Sequence, residues 1–218
     1  MAIYFAGYLS PIKNKLGNAV GRKWRTLDVL SAYNGHPRNP RTEAQQIQRG
    51  RFGTAAMLAG AFGDAVLLGF EAVCKGTKIP QKSFFIKKNW PNITSDTPGS
   101  VTIDYAELVI AQGTLVKPAM GTPTFNDPRE VAVTNTDNSG TGNALATDYL
   151  YVFVYSPEAS AGILSSGNKR ADASVTVTVP AAWDGHRVHV WGFAYGDPTK
   201  DNAGLVSGST YLGTGSIS

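Results

Sequence analysis

The spacing of apolar and polar positions changes its period along this chain, and the change divides it. From Ala44 onward apolar residues recur at steps of three and four, through Ile47, Phe52, Ala55, Ala59, Phe62, Val66, Phe70 and Val73. That is the apolar face of a helix. Asn39-Pro40 stops the preceding segment, and Thr42-Glu43-Ala44-Gln45 fits a capping box with Thr at N-cap and Gln at N3. Gly60 and Gly63 predict a break into two helices, and Gly76 ends the second. From residue 100 the period is two. Val101, Ile103 and Tyr105 alternate, with Leu108 and Ile110 continuing past a bulge; further strands are predicted at 131–134, 149–155, 161–164, 175–179, 187–195 and 209–212. About seven short strands separated by turn clusters predict a β-sandwich.

The first 41 residues follow neither period for long. Gly7, Gly17, Gly21 and Gly35 punctuate short apolar pairs, and the one strand expected there runs from Trp24 to Leu30. Residues 77–99 read as a basic connection containing Lys78, Lys82, Lys87 and Lys88. The expected fold is therefore α+β: an extended basic arm over 1–41, a short helical module and connector over 42–99, and an immunoglobulin/fibronectin-III-like β-sandwich over 100–218.

Charge sharpens the division. Residues 1–90 carry fourteen Lys/Arg against four Asp/Glu, whereas residues 91–218 carry six against twelve. Such a polarity points to macromolecular partners for each half rather than to a substrate pocket. A single cysteine, Cys74, excludes an intramolecular disulfide and reads as a small buried hydrophobe. No uncharged apolar run reaches the length of a membrane span, and Lys13 and Lys15 follow the opening apolar stretch where a secretory leader has them in front.

Several motifs together resemble a known family. They are Gly17-Asn18-Ala19-Val20-Gly21, the run Asn39-Pro40-Arg41-Thr42-Glu43-Ala44-Gln45 with Gln48, Arg49 and Phe52, and Thr136-Asp137-Asn138-Ser139-Gly140. The stretch from Ala181 to His189 and the terminal Ser209-Thr210-Tyr211-Leu212-Gly213 complete the set. The chain is similar over nearly its whole length to a domain family of unknown function found in gut-type Bacteroidota and their bacteriophages. The resemblance implies a viral or prophage structural protein and assigns no catalytic residue.

Candidate chemistry is sparse. His186 and His189 lie three apart on a strand, on opposite faces, and so do not chelate a metal together. No Gly-x-Ser-x-Gly elbow supports a hydrolase triad. Asp137-Asn138-Ser139-Gly140 reads as an Asx-rich turn, since no acidic residue closes an EF-hand loop. No catalytic residue, cofactor or metal is expected. The clearer signal is aromatic. Tyr149, Tyr151, Phe153 and Tyr155 share one strand face, opposite Leu150, Val152 and Val154; Trp191, Phe193 and Tyr195 do the same opposite Val188, Val190 and Ala194. With the aliphatic sides inside the sandwich, an aromatic strip is left for another chain or for the helices to cover.

These features lead to an expected non-enzymatic virion component, a subunit of a ring or sleeve in the neck or tail. Its partners would be further copies and other virion proteins, with no membrane and no small-molecule substrate. Its contacts would lie at Arg22, Trp24, Arg25, Arg41 and Arg49, and on the strip at Tyr151, Phe153, Trp191 and Phe193. Two alternatives share the composition. One is a glycan- or host-surface-binding module working through Trp191 and the tyrosines. The other is a DNA-contacting head protein using the basic arm.

Overall fold

The computed structural model describes residues 2–4, 14–24, 27–36, 39, 41–126 and 128–217. The chain forms two compact units, residues 1–42 and 43–218.

The first unit is a four-stranded antiparallel sheet rather than an extended arm. Its strands are β1 (Ala2–Tyr4), β2 (Asn14–Leu16), β3 (Ala19–Trp24) and β4 (Leu27–Ala32), in the order β1-β4-β3-β2. The single strand expected from Trp24 to Leu30 is instead a tight hairpin, in which Trp24 pairs with Leu27 and Arg22 with Val29. Gly17, at φ 58°, turns β2 into β3 in the left-handed region that favours glycine. Of the side chains described in this sheet, Val29 alone is buried.

The second unit begins with helix α1 (Glu43–Ala61) and then α2 (Gly63–Gly69), bent by 82° from α1 at Phe62. This break falls where the glycines predict it. Ala55, Ala59, Phe62, Val66 and Phe70 are buried as the helical period requires, but Phe52 is 56% exposed. The capping box is incomplete, because Gln45 Oε1 is buried without a hydrogen-bond partner. A short helix α3 (Glu71–Cys74) follows, with Cys74 buried at its end and its thiol pushed up by burial. The segment expected as a connection holds a helix, α4 (Gln81–Asn89), which buries Phe85 and Asn89 one turn apart. Asn89 then holds the irregular segment beyond it: its amide donates to Val109 O at 2.8 Å and its Oδ1 accepts from Val109 N at 2.7 Å.

After the hairpin of β5 (Ile93–Thr97) and β6 (Ser100–Ile103) come the two sheets of a sandwich. One sheet has the order β12-β8-β7, from Ser174–Thr178, Glu130–Thr136 and Ala119–Asn126. The other has the order β10-β9-β13-β14, from Ala161–Leu164, Tyr149–Ser156, Arg187–Tyr195 and Thr210–Ser216, and the short β11 (Asn168–Lys169) also pairs with β9. Three strands face four with immunoglobulin/fibronectin-III-like connectivity, so the fold is a mixed α+β one with a C-terminal β-sandwich behind a short helical module. Strand β7 has no counterpart in the sequence pattern. Pro123 and Gly121 interrupt it, and its pairing with β8 slips between Met120 and Pro123, as an edge strand tolerates.

Two cores result. Val131, Val133, Val175 and Val177 of one sheet meet Leu150, Val152, Val154, Val188 and Val190 of the other. On the far side of β9 and β13, Phe153, Tyr155, Trp191 and Phe193 meet Phe62, Val66, Phe70 and Phe85 of the helices. The helices and the sandwich therefore form one three-layered unit, with no division near residue 100.

Candidate interaction surfaces

Strand alternation builds the aromatic strip, and cross-strand register widens it. Phe153 pairs with Trp191, Tyr151 with Phe193 and Tyr155 with His189. Phe62, at the helical bend, sits in the middle of it. Its ring centroid lies 4.8 Å from those of Phe153 and Tyr155 and 5.4 Å from that of Trp191. Tilted and edge-on pairs at these separations contribute beyond area burial alone. Burial pushes the Tyr155 hydroxyl up to about 12, and Tyr195 rises as far through burial and its 3.0 Å hydrogen bond to Glu71 of α3. Phe153, Trp191 and Phe193 are thus covered by the chain's own helices, with Tyr151 half-buried beside them. Their expected place in a subunit interface, and the glycan surface at Trp191, do not fit this burial.

The histidines serve packing. The His189 ring stacks on Tyr105 at 4.1 Å, and its Nδ1 lies 2.9 Å from the Tyr211 hydroxyl. Burial, and then the nearby Arg187 charge, lowers its pKa. His186 Nδ1 lies 3.0 Å from Ser156 Oγ, a fully buried hydroxyl that also accepts the Ala159 N–H and caps the turn after β9. His36 lies in an exposed loop, its N–H on Asn34 Oδ1. Among the described residues no group of three potential metal ligands comes together.

The loops at one end of the sandwich are tied by a polar network that the sequence did not reveal. Arg170 and Asp148, both fully buried, pair at 3.2 Å. Arg170 also donates to Asn138 Oδ1 at 2.6 Å and to Val116 O at 2.9 Å, and Asn202 donates to Asp148 at 2.5 Å. Asp137 accepts the Ser139 N–H at 2.8 Å, which makes the Asx turn. Above this network a cleft of about 420 Å³ opens between Leu145, Ala146 and Thr147 on one loop and Thr199, Lys200 and Asp201 on the other.

The remaining predicted contacts are distributed over both units. Arg22 and Trp24 are exposed on the first sheet, Trp24 by 61%, and Lys15 lies over the Tyr33 ring at 3.8 Å. Arg25 lies outside the described residues. Arg41 is exposed at φ 48°, and Arg49 is exposed on α1. Residues 1–42 hold seven Lys/Arg against one acidic residue, Asp28.

Residues 11–213 match the profile of a family of unknown function, DUF6266. The chain belongs to that family. No curated protein matches it. The match takes in β2 to β4 of the small sheet and nearly all of the helix–sandwich unit, so parts of both units fall within one family pattern.

Proposed function

We propose that this DUF6266 chain is a non-enzymatic structural subunit whose basic N-terminal sheet is completed by another protein surface, foremost a further copy of itself. One observation carries the reading: a four-stranded sheet in which, of the described side chains, Val29 alone is buried, while Leu16 and Trp24 are 62% and 61% exposed and Tyr33, just after β4, is 45% exposed. A sheet needs one face buried to be stable. The surplus of seven cations over one acid suits an acidic partner, and the sandwich, with its surplus of acids, has the complementary sign. Closed symmetry repeats one such socket in every subunit. In the finer form of the proposal the assembly is a ring or sleeve of a bacteriophage neck or tail, which agrees with the resemblance of the sequence motifs. Native mass measurement tests it. The full chain should be a closed oligomer, and the chain lacking residues 1–41 should be folded and smaller in copy number; an unchanged copy number overturns the reading.

The loop cleft favours a second reading, recognition of a polar surface ligand by the sandwich end. Thr147, Thr199, Lys200 and Asp201 supply donors and acceptors beside the half-exposed Leu145. A glycan array whose signal disappears in Asp201→Ala would favour it over assembly.

A further inference from the structure

Strand β12 lies at the edge of its sheet, and its hydrogen bonds show which backbone groups it leaves open. Among the described residues it pairs with β8 alone. The ladder continues past both ends: Asn135 N–H donates to Ala173 O at 2.8 Å, and Val179 N–H to Arg129 O at 3.0 Å. Odd-numbered residues therefore bond toward β8, and the N–H and C=O groups of Ser174, Thr176 and Thr178 point away from it. Ser174 O accepts the Asn168 amide at 3.4 Å. Among the described residues nothing pairs with the outward groups of Thr176 and Thr178. The strand also lacks the devices that keep an edge single. No residue between Asp172 and Asp184 is ionisable, and Ser174, Thr176 and Thr178 are all exposed. The other sandwich edges differ. Pro123 interrupts β7, which slips in register; β14 carries Gly213 and Gly215; and β10 stops after four residues.

We infer that β12 pairs antiparallel with β12 of a second copy, about a two-fold axis at Val177. Open backbone groups in extended conformation call for another extended strand rather than for a side-chain surface. In this register Thr176 faces Thr178 of the second copy, and Thr178 faces Thr176 of the second copy. Every open N–H and C=O of these two residues is then used, in both chains. Threonines set opposite each other on the outer face add to the pairing. The pattern of groups already occupied favours a second copy over an unrelated strand. Opposite Ser174, whose oxygen Asn168 holds, comes Pro180 of the second copy, which has no N–H to donate. The two three-stranded sheets become one continuous sheet, β7-β8-β12 joined to its symmetry mate. This contact goes beyond the assembly reading, because it lies wholly in the larger unit and uses none of the N-terminal sheet.

Variants of the full chain test it, read by oxidative crosslinking and sedimentation velocity. A mixture of Thr176→Cys and Thr178→Cys chains should form a disulfide-linked dimer, because a hydrogen-bonded pair holds its Cα atoms about 5.5 Å apart, within disulfide reach. Neither variant alone should crosslink, since like positions meet only on the diagonal, about 7–8 Å apart. The native Cys74 is buried and leaves the readout clean. Thr176→Pro deletes an outward N–H and spares the β8 ladder, so it should weaken self-association at least about tenfold. Should the proline variant fail to fold, Thr176→Lys, the kind of charge that natural edges carry, should weaken it likewise. Crosslinking of Thr176→Cys by itself would overturn the two-fold at Val177. Slow amide exchange at Thr176 and Thr178 in a chain that does not crosslink would put a different strand on the edge, and overturns it too. If the mixture fails to crosslink and Thr176→Pro leaves the oligomer intact, while deletion of 1–41 dissolves it, the edge contact is overturned and the assembly reading stands. If deletion of 1–41 leaves the copy number unchanged while Thr176→Pro lowers it, the assembly reading falls and the edge contact stands. A parent chain that is monomeric at every concentration overturns both.

Discussion

The two units of this chain put similar residue types to opposite uses. In the helix–sandwich unit, β9 and β13 bury both faces, aliphatic on one side and aromatic on the other, and Phe62 closes the aromatic side. In the N-terminal sheet Trp24 and Leu16 stay exposed, as does Tyr33 just after β4, and of the sheet's described side chains Val29 alone is hidden. One unit holds its own core, whereas the large apolar side chains described in and beside the other unit's sheet stay mostly exposed. Stability should therefore reside in residues 43–218, and association in residues 1–42.

The largest effect should come from the keystone of the larger unit. Phe62→Ala should cost about 3–5 kcal/mol, because it empties the centre of the aromatic layer. Chemical denaturation followed by tryptophan emission would measure it. A cost under about 1 kcal/mol would mean that the two layers are held from elsewhere.

Close behind comes the buried pair. Arg170→Ala should cost about 3–5 kcal/mol by taking the cation away from the buried Asp148, to which only the Asn202 amide and the Leu145 N–H would still donate. Arg170→Met with Asp148→Leu should recover much of it, as read from thermal melts of both variants. No recovery would show that the links to Asn138 and Val116, rather than the ion pair, hold the loop end.

A smaller, pH-dependent effect concerns His189, which faces the Tyr105 ring and the Tyr211 hydroxyl with the charges of Arg187 and Glu158 nearby. Its folded pKa is depressed below the ordinary value near 6.5. As pH falls the unfolded chain takes up the proton first, so the stability present above about pH 6.5 is lost on the way down through the folded pKa. The Tm should fall between pH 7 and pH 5, and His189→Gln should flatten that slope. An equal slope in the variant would assign the titration to another group.

Smallest for stability, and most telling for the comparison, is Trp24→Ala. It should change the unfolding free energy by no more than about 0.5 kcal/mol, as substitutions at exposed positions generally do. Light scattering should nonetheless show a lower copy number. A large loss of stability with unchanged mass would instead place Trp24 inside a self-contained fold.

What the sequence disclosed follows from range. Alternation in Tyr149–Tyr155 and Arg187–Tyr195 made the strands and their two chemically different faces legible, and the glycines around Phe62 marked the helical bend. The cover of the aromatic face was not legible, because nothing local says that Phe62 and Phe85 arrive over Phe153 and Trp191. Helix α4 was hidden by its mixture of lysines and aromatics, although Phe85 and Asn89, one turn apart, were its signal. Strand β7 was masked by Pro123, and the hairpin of β3 and β4 by how close in sequence the paired Trp24 and Leu27 are. The Arg170 network was invisible for a different reason. Its partners lie 22, 32 and 54 positions away, and no local pattern joins them.

Amide hydrogen exchange across β3 and β4, followed over a dilution series, tests most directly whether the small sheet is finished by a neighbour. The account predicts fast exchange at Val20–Lys23 and Val29–Ser31 in dilute protein, slowing as the chain assembles, while Leu150–Val154 stay protected throughout. Protection of both regions that is strong and independent of concentration would contradict it.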